Sequence, residues 1–119
     1  MTDPVYSMAR IATGPTLFVA GQVPSTEDGS VPENAAAQTE LVLSKIATIL
    51  ADHGIDWPAV VKLTYYLCDI SDLTAVREVL RATLPHPRPT ATLVEIGALI
   101  DPRFRVEIDA IADLGPTSG

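Results

Sequence analysis

Val60-Val61-Lys62-Leu63-Thr64-Tyr65-Tyr66-Leu67, in the middle of the chain, reads as a β-strand. Its β-branched and aromatic residues suit a pleated surface packed on at least one side. Alternation separates Leu63, Tyr65 and Leu67 from their neighbours, and neither set is cleanly polar, so both faces are expected to need cover. Downstream, Asp69 or Ser71 can cap a helix from Asp72 to Leu84, with Leu73, Val76, Leu80 and Leu84 on one stripe. Pro85 ends it. His86-Pro87-Arg88-Pro89 is then a stiff connector, because proline fixes its own φ and restricts the residue before it. Thr90 to Ile96 and Phe104 to Ala112 read as the last strands.

Upstream, Asp56-Trp57-Pro58 predicts one short turn. Before it a helix is expected from Pro32, which suits a first helical turn, to about His53. Val42, Ile46, Ile49 and Leu50 form its apolar stripe, and Gly54-Ile55 is a Schellman-type stop. Ser25 to Ser30 is a polar loop. Ser7 to Ala12 and Thr16 to Ala20 are expected as two strands joined by a Thr13-Gly14-Pro15 hairpin, and Gly115 to Gly119 as a frayed tail. The order is β-β-α-β-α-β-β, an α+β arrangement in which two helices cover one face of a sheet and leave the other for a partner.

At 119 residues the chain (1–119) is a single domain. Hydrophobic residues are 47% and mean hydropathy is +0.25, rich for a small monomer, which points to a buried subunit interface. The net charge is −7 and the pI about 4.5. Eight Lys and Arg scattered singly do not form a phosphate-binding footprint, so no nucleic-acid partner is expected. The single Cys68 fits a reducing compartment, Met1-Thr2-Asp3-Pro4 lacks the parts of a signal peptide, and no apolar run reaches membrane-spanning length. The expected location is the cytoplasm, with no membrane partner.

No metal site and no cofactor are expected: His53 and His86 are far apart and neither has a second ligand at useful spacing. His53 suits a helix end, where it can meet the last carbonyls. Cys68 has no nearby His to activate it. There is no phosphate loop and no nucleophile elbow. Alternation puts Arg105, Glu107 and Asp109 on one face of the last strand, opposite Val106 and Ile108. Two readings stand for that face: a solvated, charge-paired surface, or a site that uses a carboxyl group.

Four blocks in fixed order carry a family resemblance: Gly21-Gln22-Val23-Pro24, Val61 to Asp69, Val94-Glu95-Ile96 and Arg105 to Ala112. Together, from about Tyr6 to Ala112, they resemble the RidA family, also called YjgF or L-PSP. That resemblance implies a chorismate-mutase-like fold, a mixed sheet with two helices on one face, assembled as a trimeric barrel with ligand clefts between subunits. It also implies hydrolysis of reactive enamines and imines, although some relatives have been called endoribonucleases. In the family motif V-E-I-E-A-I-A the first glutamate orients the attacking water, and Glu107 inherits that position. One carboxyl group can serve as acid and base in turn while an imine is protonated and then hydrated. Val5-Tyr6-Ser7 matches the family's N-terminal tyrosine, which closes the cleft from a neighbouring subunit, if the hairpin carries one extra residue. Against that stands an ordinary exposed tyrosine at a terminus. Gly21 marks either a turn or a close approach of backbone to ligand.

One position departs from the family. Active members carry an arginine three residues before Val94-Glu95-Ile96, and it pairs with the substrate carboxylate. Here that register holds Ala91. Losing such a contact costs about 2–5 kcal/mol. Arg77 takes a helix position where well-known members have asparagine, so either Arg77 or Arg105 can supply a displaced anion site; otherwise Arg77 is a solvated helical residue beside Glu78. Two functions follow. One is an imine or enamine deaminase of altered specificity, acting on a small anionic ligand. The other is a non-catalytic, ligand-binding or regulatory homotrimer that kept the cleft.

Overall fold

The computed structural model describes residues 3–115. Of the tail expected from Gly115 to Gly119, residues 116–119 lie outside them, as do Met1 and Thr2. In chain order the elements are β1 (Thr16–Gln22), α1 (Ala35–Asp52), β2 (Val60–Leu67), α2 (Leu73–Thr83), β3 (Thr90–Glu95) and β4 (Val106–Asp113). The strands form one sheet in the order β1-β4-β2-β3. β4 is antiparallel to both neighbours and β2 is parallel to β3, so the sheet is mixed. Among the described residues no helix is long and apolar enough to cross a membrane.

Both helices pack on one face. Leu63, Tyr65 and Leu67 of β2 and Val106, Ile108 and Ala110 of β4 are buried against Val42, Ile46 and Leu50 of α1 and Val76 and Leu80 of α2. Burying such side chains fully contributes about 1.5–3 kcal/mol each before the entropy of ordering them is subtracted. The other face carries Thr64, Tyr66, Glu107 and Asp109 with Phe18, Val94 and Ile111, a mixed surface rather than an apolar one. The strand set that looked in need of cover already has it. What remains uncovered is a polar centre with apolar flanks, Phe18 being 74% exposed.

Local signals decide most element ends. Asn34 caps α1 by accepting from the Ala37 N–H at 2.8 Å, so the helix starts three residues after Pro32. Gly54 takes φ +72° and Ile55 N–H returns to Leu50 at 3.1 Å, the expected stop. His53 Nδ1 lies 2.9 Å from the Ile49 carbonyl. Buried Gln38 ties three loop groups together, donating to the Pro32 and Arg103 carbonyls and accepting from the Arg105 N–H at 2.7 Å.

Ser7 to Ala12 is not a strand, which corrects the order to β-α-β-α-β-β. Instead the segment crosses the end of the sheet as a strap, from the start of β3 to the end of β4. Ser7 donates its N–H to the Pro89 carbonyl at 2.9 Å, and the Arg10 guanidinium donates to the Pro58, Val60, Pro87 and Arg88 carbonyls. Thr13 and Gly14 donate their N–H groups to the Asp113 carboxylate, each at 2.9 Å. The backbone groups that a hairpin would have paired are met by side chains and strand ends, so Thr13-Gly14-Pro15 is a corner. These bonds hold Asp113 below the usual carboxylate range, the Thr13 N–H contributing most.

Candidate functional site

Alternation along β4 sends Glu107 and Asp109 to the uncovered face, as expected from the sequence. Tyr66 stands directly opposite Glu107 in the β2–β4 register, and its hydroxyl donates to Asp109 Oδ2 at 3.2 Å. The Asp109 charge, then burial and the Glu107 charge, push the Tyr66 phenol above its ordinary value. On the far side of β4, the β1 register slips between Val19 and Gln22, and Gly21 sits in the slip. A Cβ there would lie 3.0 Å from the Glu107 carboxyl carbon and closer still to Oε2. Gly21 therefore serves a close approach, but the approaching group is a side chain of the same chain. Glu107 lies half-buried between Gly21 and Tyr66, with one side open.

Tyr6 and Arg77 lie elsewhere. Together with Asp3, Pro4, Val5 and Arg81 they line a cavity of about 270 Å³ where the N-terminal segment meets α2. Tyr65 is buried on the same, helix-covered face, and its phenol is pushed up, by burial first, with Arg77 opposing and Tyr6 adding. The strap holds Tyr6 in place. Beneath the cavity the Arg88 guanidinium is buried, bonded to Asp3 Oδ2 at 2.6 Å and to the Pro4 and Leu84 carbonyls at 2.8 and 3.2 Å. The Arg88 donors are thus committed within the chain. Ala91 stands opposite Leu63 on the helix-covered side, half-buried against the core. Its methyl group holds nothing anionic.

Arg105 is in a third place. It precedes β4, and its guanidinium meets both oxygens of Asp72 at 3.0 and 3.3 Å. It borders a larger cavity of about 580 Å³ with Pro32, Cys68, Asp72 and Phe104, away from Glu107 and from Tyr6. The expected trio of Arg105, Glu107 and Asp109 is thus divided, because the ion pair with Asp72 draws the arginine off the strand face. Cys68 is half-buried at the end of β2, with its N–H on the Arg105 carbonyl at 3.3 Å. Among the described residues no three His, Cys, Asp or Glu side chains stand together as metal ligands.

One chain therefore joins Glu107 to Gly21, and Tyr6 to Arg77, on opposite sides of its sheet. Sequence reasoning missed two participants. Arg81 lines the cavity with Arg77, and their spacing of four on α2 is the signal that would have found it. Tyr66 was legible only as a member of an alternating strand; the register that sets it against Glu107 involves another strand.

Comparison with known proteins places this geometry. Residues 2–114 match the model of the family described as Endoribonuclease L-PSP. The 2-iminobutanoate/2-iminopropanoate deaminase of Rattus norvegicus is 32% identical over 114 residues, covering 93% of this chain and 81% of the relative. Protein mmf2, mitochondrial, of Schizosaccharomyces pombe is 32% identical over 109 residues, covering 90% and 86%. Among solved structures, Rv2704 of Mycobacterium tuberculosis, described as a member of the YjgF/YER057c/UK114 family, superposes with a TM-score of 0.75 at 38% identity, covering 91% of this chain and 86% of that one.

Proposed function

Since the chain belongs to the Endoribonuclease L-PSP family, which includes RidA and YjgF proteins, we propose that it hydrolyses small imines, or their enamine tautomers, and releases ammonia. The observation that carries this reading is the Glu107 carboxyl, set by Gly21 and Tyr66 on an open face with no cation bonded to it among the described residues. Protonated Glu107 supplies the proton that turns an enamine into the protonated form of its imine, the iminium ion. As carboxylate it then accepts a proton from water while the water oxygen adds to the imine carbon, giving a carbinolamine. Returning that proton to nitrogen makes it an ammonium leaving group; the C–N bond then breaks as the C=O bond forms, ammonia leaves, and the hydroxyl proton passes to the Glu107 carboxylate. Water and imine are consumed, one oxo compound and one ammonia are formed, and Glu107 ends as it began.

The cleft is proposed to form in a homotrimer, where the open face of one chain meets the Tyr6–Arg77 edge of the next. Two observations support this. Phe18, Val94 and Ile111 flank Glu107 with apolar surface, and one chain keeps its two half-sites on opposite sides of the sheet. The ligand is small and anionic. We take the cytoplasm as the place of action, given the unpaired Cys68. RNA is not the proposed substrate: at net charge −7 a polyanion is repelled at long range. Salt-sensitive RNA binding at low micromolar protein would overturn that part.

Ala91 favours a second reading, a binding or regulatory trimer without catalysis. One assay separates the two: ammonia release from imines generated in situ from several amino acids. Release that depends on Glu107, and disappears in Glu107→Ala, supports the deaminase. No release from any of them supports the binding protein.

A further inference from the structure

We propose that Arg77, and not Arg105, holds the anionic group of the ligand, and that the group is a single carboxylate. The inference deepens the deaminase reading and rests on it for the identity of the substrate, while the anion site itself stands on geometry.

The chain has eight Lys and Arg residues. Arg10 and Arg88 are bonded to backbone carbonyls, Lys45 to the Val23 carbonyl at 2.7 Å and Lys62 to Thr92 at 3.1 Å. Arg81 pairs with Glu78 at 3.3 Å, Arg103 with Asp101 at 2.9 Å and Arg105 with Asp72 at 3.0 Å. Among the described residues only Arg77 has neither a hydrogen bond nor an ion pair. Glu78, its neighbour in sequence, turns to Arg81 instead. Placing a ligand on Arg77 breaks nothing, whereas Arg105 would first have to release Asp72, whose side chain is only 17% exposed.

Arg77 also borders a cavity. Around it the positive charges are Arg77, Arg81 and Arg88, and the negative ones Asp3 and Glu78, which leaves one positive charge in a protein of net charge −7. One uncompensated cation matches a monoanion; a second negative charge would face Asp3 and Glu78. At about 270 Å³ the cavity suits a small acid, with Val5 and Pro4 as apolar wall and Tyr6 as a polar edge. A guanidinium offers the planar pair of donors that a carboxylate accepts.

The test uses 2-oxobutanoate, a stable monocarboxylate, titrated into the full chain and followed by calorimetry. Arg77→Gln should weaken binding by about tenfold or more, with Arg77→Lys in between, and Arg105→Gln should change it by less than about twofold. The dicarboxylate 2-oxoglutarate should bind more weakly than 2-oxobutanoate. Loss with Arg105→Gln, indifference to Arg77→Gln, tighter binding of the dicarboxylate, or no saturable binding to the wild-type chain would each overturn the proposal. If 2-oxobutanoate binding depends on Arg77 but no imine is hydrolysed, the deaminase reading fails and this one stands. If imines are hydrolysed with kcat/KM unchanged in Arg77→Gln, this one fails alone.

Discussion

The carboxylate of Glu107 occupies the space that a side chain at position 21 would need. The glycine in β1 and the glutamate in β4 are thus one feature. Without a Cβ at Gly21 the carboxyl can lie against the β1 backbone, and the slip in the β1–β4 register gives it room.

Gly21→Ala should consequently impair the site while sparing the fold. Gly21 does not lie at positive φ, so alanine fits its backbone, and the obstructed atoms end a flexible side chain. Stability should change by about 1 kcal/mol or less. Displacing the carboxyl by about an ångström should lower ammonia release by about 10²-fold. A folded Gly21→Ala protein with wild-type kcat/KM would mean that the position of Glu107 is immaterial to the reaction.

Two half-sites on opposite sides of one sheet predict complementation. Glu107→Ala and Arg77→Gln chains, each deficient alone, should regain activity when unfolded together and refolded as mixed trimers. Some clefts then combine an intact Glu107 from one chain with an intact Arg77 from another. Mixed assemblies no more active than the two separate proteins would place both residues in the same chain's site. Sedimentation equilibrium on the wild type is the companion measurement, and a stable monomer at micromolar concentration would remove the shared cleft.

The register that places alanine at position 91 offers a transfer experiment. Arg77→Asn should reduce hydrolysis of carboxylated imines by about tenfold or more, and adding Ala91→Arg should restore it. Ala91 is half-buried on the edge strand β3, so the arginine stem can run along the apolar face with its head in the cleft. Ala91→Arg beside an intact Arg77 should gain less, because two guanidinium groups would compete for one carboxylate. Failure of the folded double variant on every carboxylated imine tried would show that neither position holds the anion.

Asp113 ties the strap to the sheet, and its titration has a definite sign. Its folded-state value lies below the ordinary 3.8, first because of the Thr13 N–H and then those of Gly115 and Gly14. The bonds therefore stabilise the protein at neutral pH, and their contribution is lost as pH falls through the folded-state value. Asp113→Asn should unfold at lower denaturant concentration than wild type at pH 7, with the gap closing as pH drops below about 4. A gap that stays constant down to pH 2.5 would mean that the carboxylate charge plays no part in holding the strap.

Some of this protein was legible in the chain alone. Val60–Leu67 forms the strand its residues predict, ending where β-branched and aromatic residues give way to Cys68-Asp69. Gly54 stops α1 and Pro85 follows the end of α2, because a positive φ and a missing N–H act within a turn. Glu107 and Asp109 share a face because successive side chains in any strand alternate. Each of these is settled by neighbours a few residues away. The tertiary structure decided the rest. Ser7 to Ala12 has strand character, yet its partners are carbonyls of residues 58, 60 and 87–89, so it becomes a strap. Arg105 alternates with Glu107 in sequence but turns to Asp72, 33 residues away. Gly21 could have marked a turn until β4 laid Glu107 beside it. A long charged side chain reaches several ångströms beyond its own backbone and binds whatever the fold brings within that distance. Periodicity therefore determines which face a residue occupies, and only the packed chain determines which group it meets there.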